Sequence, residues 1–143
     1  MSDFRKYRVY QRAYALQLDI QTVANAFPTH EKYALTSQLV RAIRTVPATI
    51  AEGSGRLTEP DRRNFCITAR ASLNEVLNHL DLARDLGYIS VEIHDKLEQE
   101  VMAVRAMLNG LIRKMTDSID AKKCNEMQQK QESVAVTAEV VPA

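Results

Sequence analysis

Apolar residues recur every three or four positions along most of this chain, and the recurrence divides it into four stretches. At 100° per residue, Leu35, Leu39, Ile43, Val46 and Ile50 fall on one narrow stripe. Ser37, Arg41, Arg44, Ala48, Ala51 and Gly55 gather on the opposite side. The stretch 35–56 therefore predicts one long helix with Pro47 inside it. Pro47 supplies no backbone donor and frees the carbonyl of Ile43, so a kink is expected there. Gly53 and Gly55 are expected to stop the helix, because glycine accepts the left-handed conformation of a C-terminal cap.

Three other stretches carry the same period. Val9, Ala13, Leu16, Ile20, Val23 and Phe27 predict a first helix from about Arg8 to Phe27. Pro28 ends it by disfavouring helical geometry in the residue before it. Phe65, Ala69, Ser72, Val76, Leu80 and Ala83, widened by Leu73 and Leu77, predict a third helix from Thr58 to about Leu86. Thr58 is its N-cap, Pro60 lies in its first turn and Gly87 closes it. Ile93, Leu97, Val101, Val104, Leu108, Leu111, Met115 and Ile119 form the longest seam, with Ser90 as its cap. From Asp120 the pattern stops; the remainder is rich in Gln, Lys and Glu and then in small residues, the composition of a disordered tail. The sum is an all-α fold: an antiparallel up-and-down four-helix bundle over residues 1–119, with a kinked second helix and a disordered C-terminal tail at 120–143.

The first helix breaks the simple inside–outside pattern. On its far face Tyr10, Tyr14 and Leu18 line up, extended by Tyr7. Two apolar faces on one helix point to a second neighbour in the bundle or to a subunit contact. With Arg5, Lys6, Arg8 and Arg12 nearby, the aromatic row could also stack on bases. The packing readings rank ahead of stacking.

Length and composition narrow the picture only a little. At 143 residues, 45% hydrophobic and 26% charged, the chain has the makings of one core. Four glycines and four prolines are too few for a turn-rich β protein. No apolar run approaches the roughly 18 residues of a membrane span, and MSDFRKYRVY lacks the apolar core of a secretory signal, so a cytoplasmic protein is expected. Cys66 and Cys124 have no metal-ligand spacing to another Cys or His; a small buried thiol and an incidental exposed one are expected. The net charge of +1 conceals an asymmetry: residues 1–70 hold eleven Lys/Arg against six Asp/Glu, and 71–143 hold eight against twelve.

Candidate chemistry is sparse. A di-iron bundle site needs a Glu-x-x-His pair on each of two helices, whereas Glu75 and His79 are one residue too far apart and His30 and His94 have no such partner. Gly53-Ser54-Gly55-Arg56 follows a helix rather than a strand and lacks the Lys-Ser/Thr pair of a phosphate loop. It also lacks the strand-to-helix turn of a nucleophile elbow. The N-terminus of the third helix, beside Arg56, could hold an anion. Glu52 can pair with Arg56 at i+4, but a lone carboxylate is no acid–base couple. No catalytic residue, metal site or cofactor is expected. The arginines carry more. Arg41 and Arg44 sit among small residues on the second helix; Arg63, Arg70 and Arg84 flank the seam of the third; Arg56 and Arg62 lie at the turn. A guanidinium serves phosphate binding and inter-subunit carboxylate pairing with the same forked donors, and spacing alone also fits solvated bundle flanks.

Several runs resemble a known family. Val9-Tyr10-Gln11-Arg12-Ala13, Phe27-Pro28 and Glu31-Lys32-Tyr33-Ala34-Leu35-Thr36-Ser37-Gln38-Leu39 look like the bacterial four-helix bundle proteins. These are also called intervening-sequence proteins, because some are encoded in insertions within large-subunit ribosomal RNA genes. Ile50-Ala51-Glu52-Gly53-Ser54-Gly55-Arg56 is the most specific piece. Ala69-Arg70-Ala71-Ser72-Leu73-Asn74-Glu75 and Ala83-Arg84-Asp85-Leu86-Gly87-Tyr88-Ile89 also fit. The resemblance spans roughly residues 5–115. Tyr10 stands where the family often has Trp, and Ala34 where it often has Gly. The resemblance implies an up-and-down bundle that assembles as a ring, typically a homopentamer. A related group, the accessory variability proteins of diversity-generating retroelements, binds nucleic acid and a reverse transcriptase through basic ring surfaces. The expectation is therefore a non-enzymatic oligomer that binds RNA, DNA or a ribonucleoprotein partner through Arg41, Arg44, Arg56, Arg62, Arg63 and Arg70. The alternative is a protein-interaction scaffold without nucleic-acid binding, its subunits meeting through Tyr10, Tyr14 and Leu18.

Overall fold

The periodic stretches become α1 (Arg8–Asn25), α2 (Leu35–Ser54), α3 (Glu59–Asp85) and α4 (Val91–Val140) in a computed structural model that describes residues 3–140. Single 3₁₀ turns at Phe4–Lys6 and Thr29–Glu31 precede α1 and α2. No strand occurs among the described residues. Short connections make sequence neighbours antiparallel, with α2 packed on both α1 and α3, and α4 on α3 and, less extensively, α1. No helix among the described residues is long and apolar enough to cross a membrane.

One core runs through the bundle. Leu16 and Ile20 of α1, Leu39, Ile43 and Val46 of α2, Leu73, Val76 and Leu80 of α3, and Val101, Val104 and Leu108 of α4 are its fully buried large side chains. Burying one such side chain is worth roughly 1.5–3 kcal/mol, so a few of them offset the ~3 kcal/mol that an interior proline costs. Accordingly α2 runs unbroken through Pro47, which is itself buried.

Three details of the termini follow from local chemistry. The Thr58 hydroxyl accepts the Asp61 amide at 3.4 Å, and the Ser90 hydroxyl accepts the Ile93 amide at 3.1 Å, as the capping pattern predicts. At the end of α3 the Tyr88 amide bonds the Ala83 carbonyl at 2.9 Å and the Gly87 amide bonds Arg84 at 3.0 Å. Gly87 has φ +77°, so this is a Schellman closure that needs a residue free of a Cβ. The end of α2 corrects an expectation: Gly55 is right-handed, with φ −86°, and Gly53 lies inside the helix. What Gly53 supplies is space. A Cβ there would stand 2.7 Å from the Cβ of Phe65, so its absence lets α2 and α3 close together.

Two further differences concern α4. Ile93, placed in the seam by periodicity, is 43% exposed, and its neighbour His94 is buried instead, because the His94 ring reaches across to Asp81 of α3. The expected disordered tail is helical as far as Val140. Ile119 is the last buried residue among those described, and every residue from 120 to 140 is exposed. Gln, Lys, Glu, Met and Ala are good helix formers, and neither Gly nor Pro interrupts 111–140, so the backbone continues without a tertiary partner. Lys122 and Ser118 both bond Glu59 at the start of α3, fixing the point of departure. Residues 141–143 of the predicted tail lie outside the described residues.

Candidate interaction face

The six arginines proposed from sequence fall into three groups rather than one surface. Arg41 and Arg44 are exposed on α2, in a shallow depression lined by Ser37, Val40, Thr45 and Ala48. Arg44 donates two hydrogen bonds to Oε1 of Gln21 on α1, at 3.2 and 3.0 Å. The Arg41 guanidinium has no partner among the described residues. No carboxylate lines the depression. Thirteen helical residues, roughly 20 Å at 1.5 Å each, separate Arg41 from the end of α2.

Beyond that end lie Arg56 and Arg62. Arg56 pairs with Glu52 at 3.0 Å, the i,i+4 pair expected from sequence, and stacks over the Phe65 ring at 4.7 Å. Arg62 donates to the Arg56 carbonyl at 2.8 Å. Arg63 and Arg70 face α4 and are half-buried: Arg63 donates to Thr116 at 3.3 Å and Arg70 to Asn109 at 3.1 Å. Nε of Arg63 is buried without a partner. Their donors serve the α3–α4 packing, so the least committed guanidinium pair is Arg41 and Arg44.

The aromatic row on α1 is brought partly into place. Tyr10 is half-buried, its ring edge-on to Phe4 at 4.9 Å and tilted against Tyr14 at 5.9 Å. Tyr14 and Leu18 are 45% and 52% exposed. Gln21 is three residues beyond Leu18 and so shares its side of α1. Through the Gln21–Arg44 contact, the apolar row and the cationic depression become one continuous α1/α2 face. In the sequence these are two separate features; the pairing of α1 with α2 joins them.

Two polar clusters at the other end of the bundle escaped the sequence. His94, almost fully buried, has Nε2 at 2.7 Å from Asp81 and Nδ1 at 3.0 Å from Asp95. The Asp95 carboxylate, opposed by desolvation and aided by Asp81, raises the His94 pKa above the usual 6.5. Asp81, His94 and Glu98 offer ligand atoms within 4.8 Å of one another, the one such grouping among the described residues. The Arg84 guanidinium lies 3.4 Å from Nε2 of His94 and 3.8 Å from Asp81, so Asp81 is shared between two basic groups. The cluster therefore works as a clasp between α3 and α4. The i,i+4 spacing of His94 and Glu98 was visible in sequence, whereas Asp81 lies on another helix. In the second cluster, Glu31 accepts the Leu35 amide at 3.1 Å and the Tyr88 hydroxyl at 2.9 Å. The amide, then the hydroxyl, holds the Glu31 carboxyl below its ordinary range. Burial, then Glu31, pushes the Tyr88 phenol up. This ties the α1–α2 connection to the α3–α4 turn. Cys66 is half-buried and Cys124 exposed, and burial raises the Cys66 thiol pKa.

The family described as 23S rRNA-intervening sequence protein matches residues 5–110, which cover the bundle and stop short of the exposed end of α4. Among solved structures, a protein with unknown function from the S23 ribosomal protein family of Bacteroides thetaiotaomicron is similar in fold, with a TM-score of 0.67 and 20% identity. The match covers 73% of this chain and 97% of that one. Comparison with curated sequences found no match.

Proposed function

The chain belongs to the 23S rRNA-intervening sequence protein family, and from that premise we propose that it is a non-enzymatic, self-associating cytoplasmic bundle protein that binds RNA, alone or in a ribonucleoprotein. Arg41 and Arg44 are the principal phosphate contacts. The observation that carries this reading is the α2 depression: two exposed guanidinium groups among small and hydroxylated residues, with no carboxylate lining it. Forked guanidinium donors suit phosphate oxygens, and contacts of this kind position a backbone without reading sequence. Binding should therefore be salt-sensitive and nearly indifferent to base order. The double reversal Arg41→Glu/Arg44→Glu is expected to lower RNA affinity at least tenfold with an unchanged circular dichroism spectrum. Unchanged affinity would remove these residues from the interface.

A second reading, an assembly scaffold without nucleic acid, is favoured by the exposure of Tyr14 and Leu18 on the same face. Tyr14→Glu would place a charge in the subunit contact and is expected to shift the oligomer toward monomer in sedimentation velocity. A variant that sediments like the parent would take Tyr14 out of that contact.

A further inference from the structure

At the end of the bundle where α1 and α3 begin and α2 stops, a cleft of about 940 Å³, open to solvent on one side, is lined by residues of all four helices. Its wall is apolar, built by Val9, Ile50, Phe65, Met107, Leu111 and Met115. Gly110 belongs to the same wall, and a Cβ added there would meet no atom within 4 Å. Three cations stand at the cleft, Arg8 from α1, Arg62 from α3 and Lys114 from α4, and no carboxylate lines it. Among the described residues none of the three is in an ion pair; Arg62 bonds only the Arg56 carbonyl. Glu59, close enough to feel the charge of Arg62, is already engaged by Lys122 and Ser118. The first turn of α1 opens on this cleft with no acidic residue and no side-chain cap, so the positive end of that helix adds to the same field.

An apolar cleft with cations at its edge and no carboxylate in its lining is complementary to a molecule with an aliphatic chain and one anionic head. We propose that this cleft binds a free fatty-acid anion, its chain along Phe65, Met107, Leu111 and Met115 and its carboxylate among Arg8, Arg62 and Lys114. The volume falls within the roughly 300–1,000 Å³ of small-molecule sites. The two methionines adapt to a flexible chain, and the guanidinium groups of Arg8 and Arg62 pair with carboxylate through forked donors. The site shares no lining residue with the α2 depression, so it stands apart from the RNA reading.

The test is calorimetric titration of the full-length protein with laurate below its micelle-forming concentration, alongside dodecyltrimethylammonium, which carries the same chain on a cationic head. The expected result is one laurate per chain, bound at least tenfold more tightly than the cation. Arg62→Glu/Lys114→Glu should weaken laurate at least tenfold. Gly110→Leu, which adds a side chain into open space without a backbone clash, should abolish binding while keeping the helical spectrum. Cys66 lines the cleft; in a Cys124→Ser background, laurate should slow its alkylation by N-ethylmaleimide. Arg41→Glu/Arg44→Glu should bind laurate normally. Equal affinity for the two amphiphiles, many laurates per chain, full binding by Gly110→Leu or an unchanged alkylation rate would each overturn the assignment.

Discussion

Between α3 and α4, four arginines are occupied. Arg63 donates to Thr116, Arg70 to Asn109 and Arg105 to Asn74, each across the helix pair, and Arg84 pairs with Asp81 and Asp85 of its own helix. On the α1–α2 side, Arg44 touches Gln21 alone and Arg41 has no partner among the described residues. The residue type is the same on both sides; Arg44 still finds one neutral acceptor on the neighbouring helix, whereas Arg41 finds none among the described residues. A guanidinium satisfied by the neighbouring helix stiffens the bundle and has few donors left for a ligand. One set among Ser37, Thr45 and Ala48 keeps its donors for something outside. The fold thus sorts arginines that look alike in sequence into structural and available ones.

The largest effect should come from the core that both sides share. Leu73→Ala removes a fully buried side chain and should cost about 2–5 kcal/mol in urea denaturation. Leu18→Ala, on the half-exposed α1/α2 face, should stay within about 0.5 kcal/mol. A comparable loss at Leu18 in the isolated subunit would mean that this face is already packed.

The α3–α4 clasp should respond to pH, and the α1–α2 face should not. His94 is faced by Asp81 and Arg84 from α3 and by Asp95 and Glu98 from its own helix. Its pKa is raised in the folded state, so the fold favours the imidazolium. The stabilisation is complete below the ordinary value of 6.5 and is lost as pH rises through the higher folded value. Replacing His94 by Gln should cost about 1.5–3 kcal/mol at pH 5.5, the range for a hydrogen bond to a charged group, and progressively less toward alkaline pH. A gap between the two proteins that widens with pH would contradict the clasp.

The smallest effect contrasts single arginines. Arg70→Met loses the bond to Asn109 and should cost about 0.5–1.5 kcal/mol, whereas Arg41→Met should be neutral within about 0.5 kcal/mol. Equal losses at the two positions would erase the distinction on which the functional reading rests.

Much of this was legible in the chain. The stripes at 35–50 and 97–108 report burial faithfully, and Thr58, Ser90 and Gly87 mark helix ends through chemistry local to a few residues. What the chain concealed depends on distance or on the absence of a partner. Asp81 and His94 meet only because α3 and α4 are antiparallel. Gly53 reads as a stop signal until Phe65 is placed against it. The six arginines read as one set until α4 claims Arg63 and Arg70. At 120–140 the apolar rhythm stops while the helix continues. Rhythm reports burial; helicity there follows propensity alone.

The most direct test of the RNA reading is fluorescence anisotropy of a labelled single-stranded RNA with the parent protein and Arg41→Glu/Arg44→Glu, across roughly 50 to 200 mM salt. The account predicts that parent affinity falls steeply over that span and that the variant binds at least tenfold more weakly at the low-salt end, with a shallower slope. Parent and variant curves that coincide would contradict it and leave the α1/α2 face to protein contacts alone.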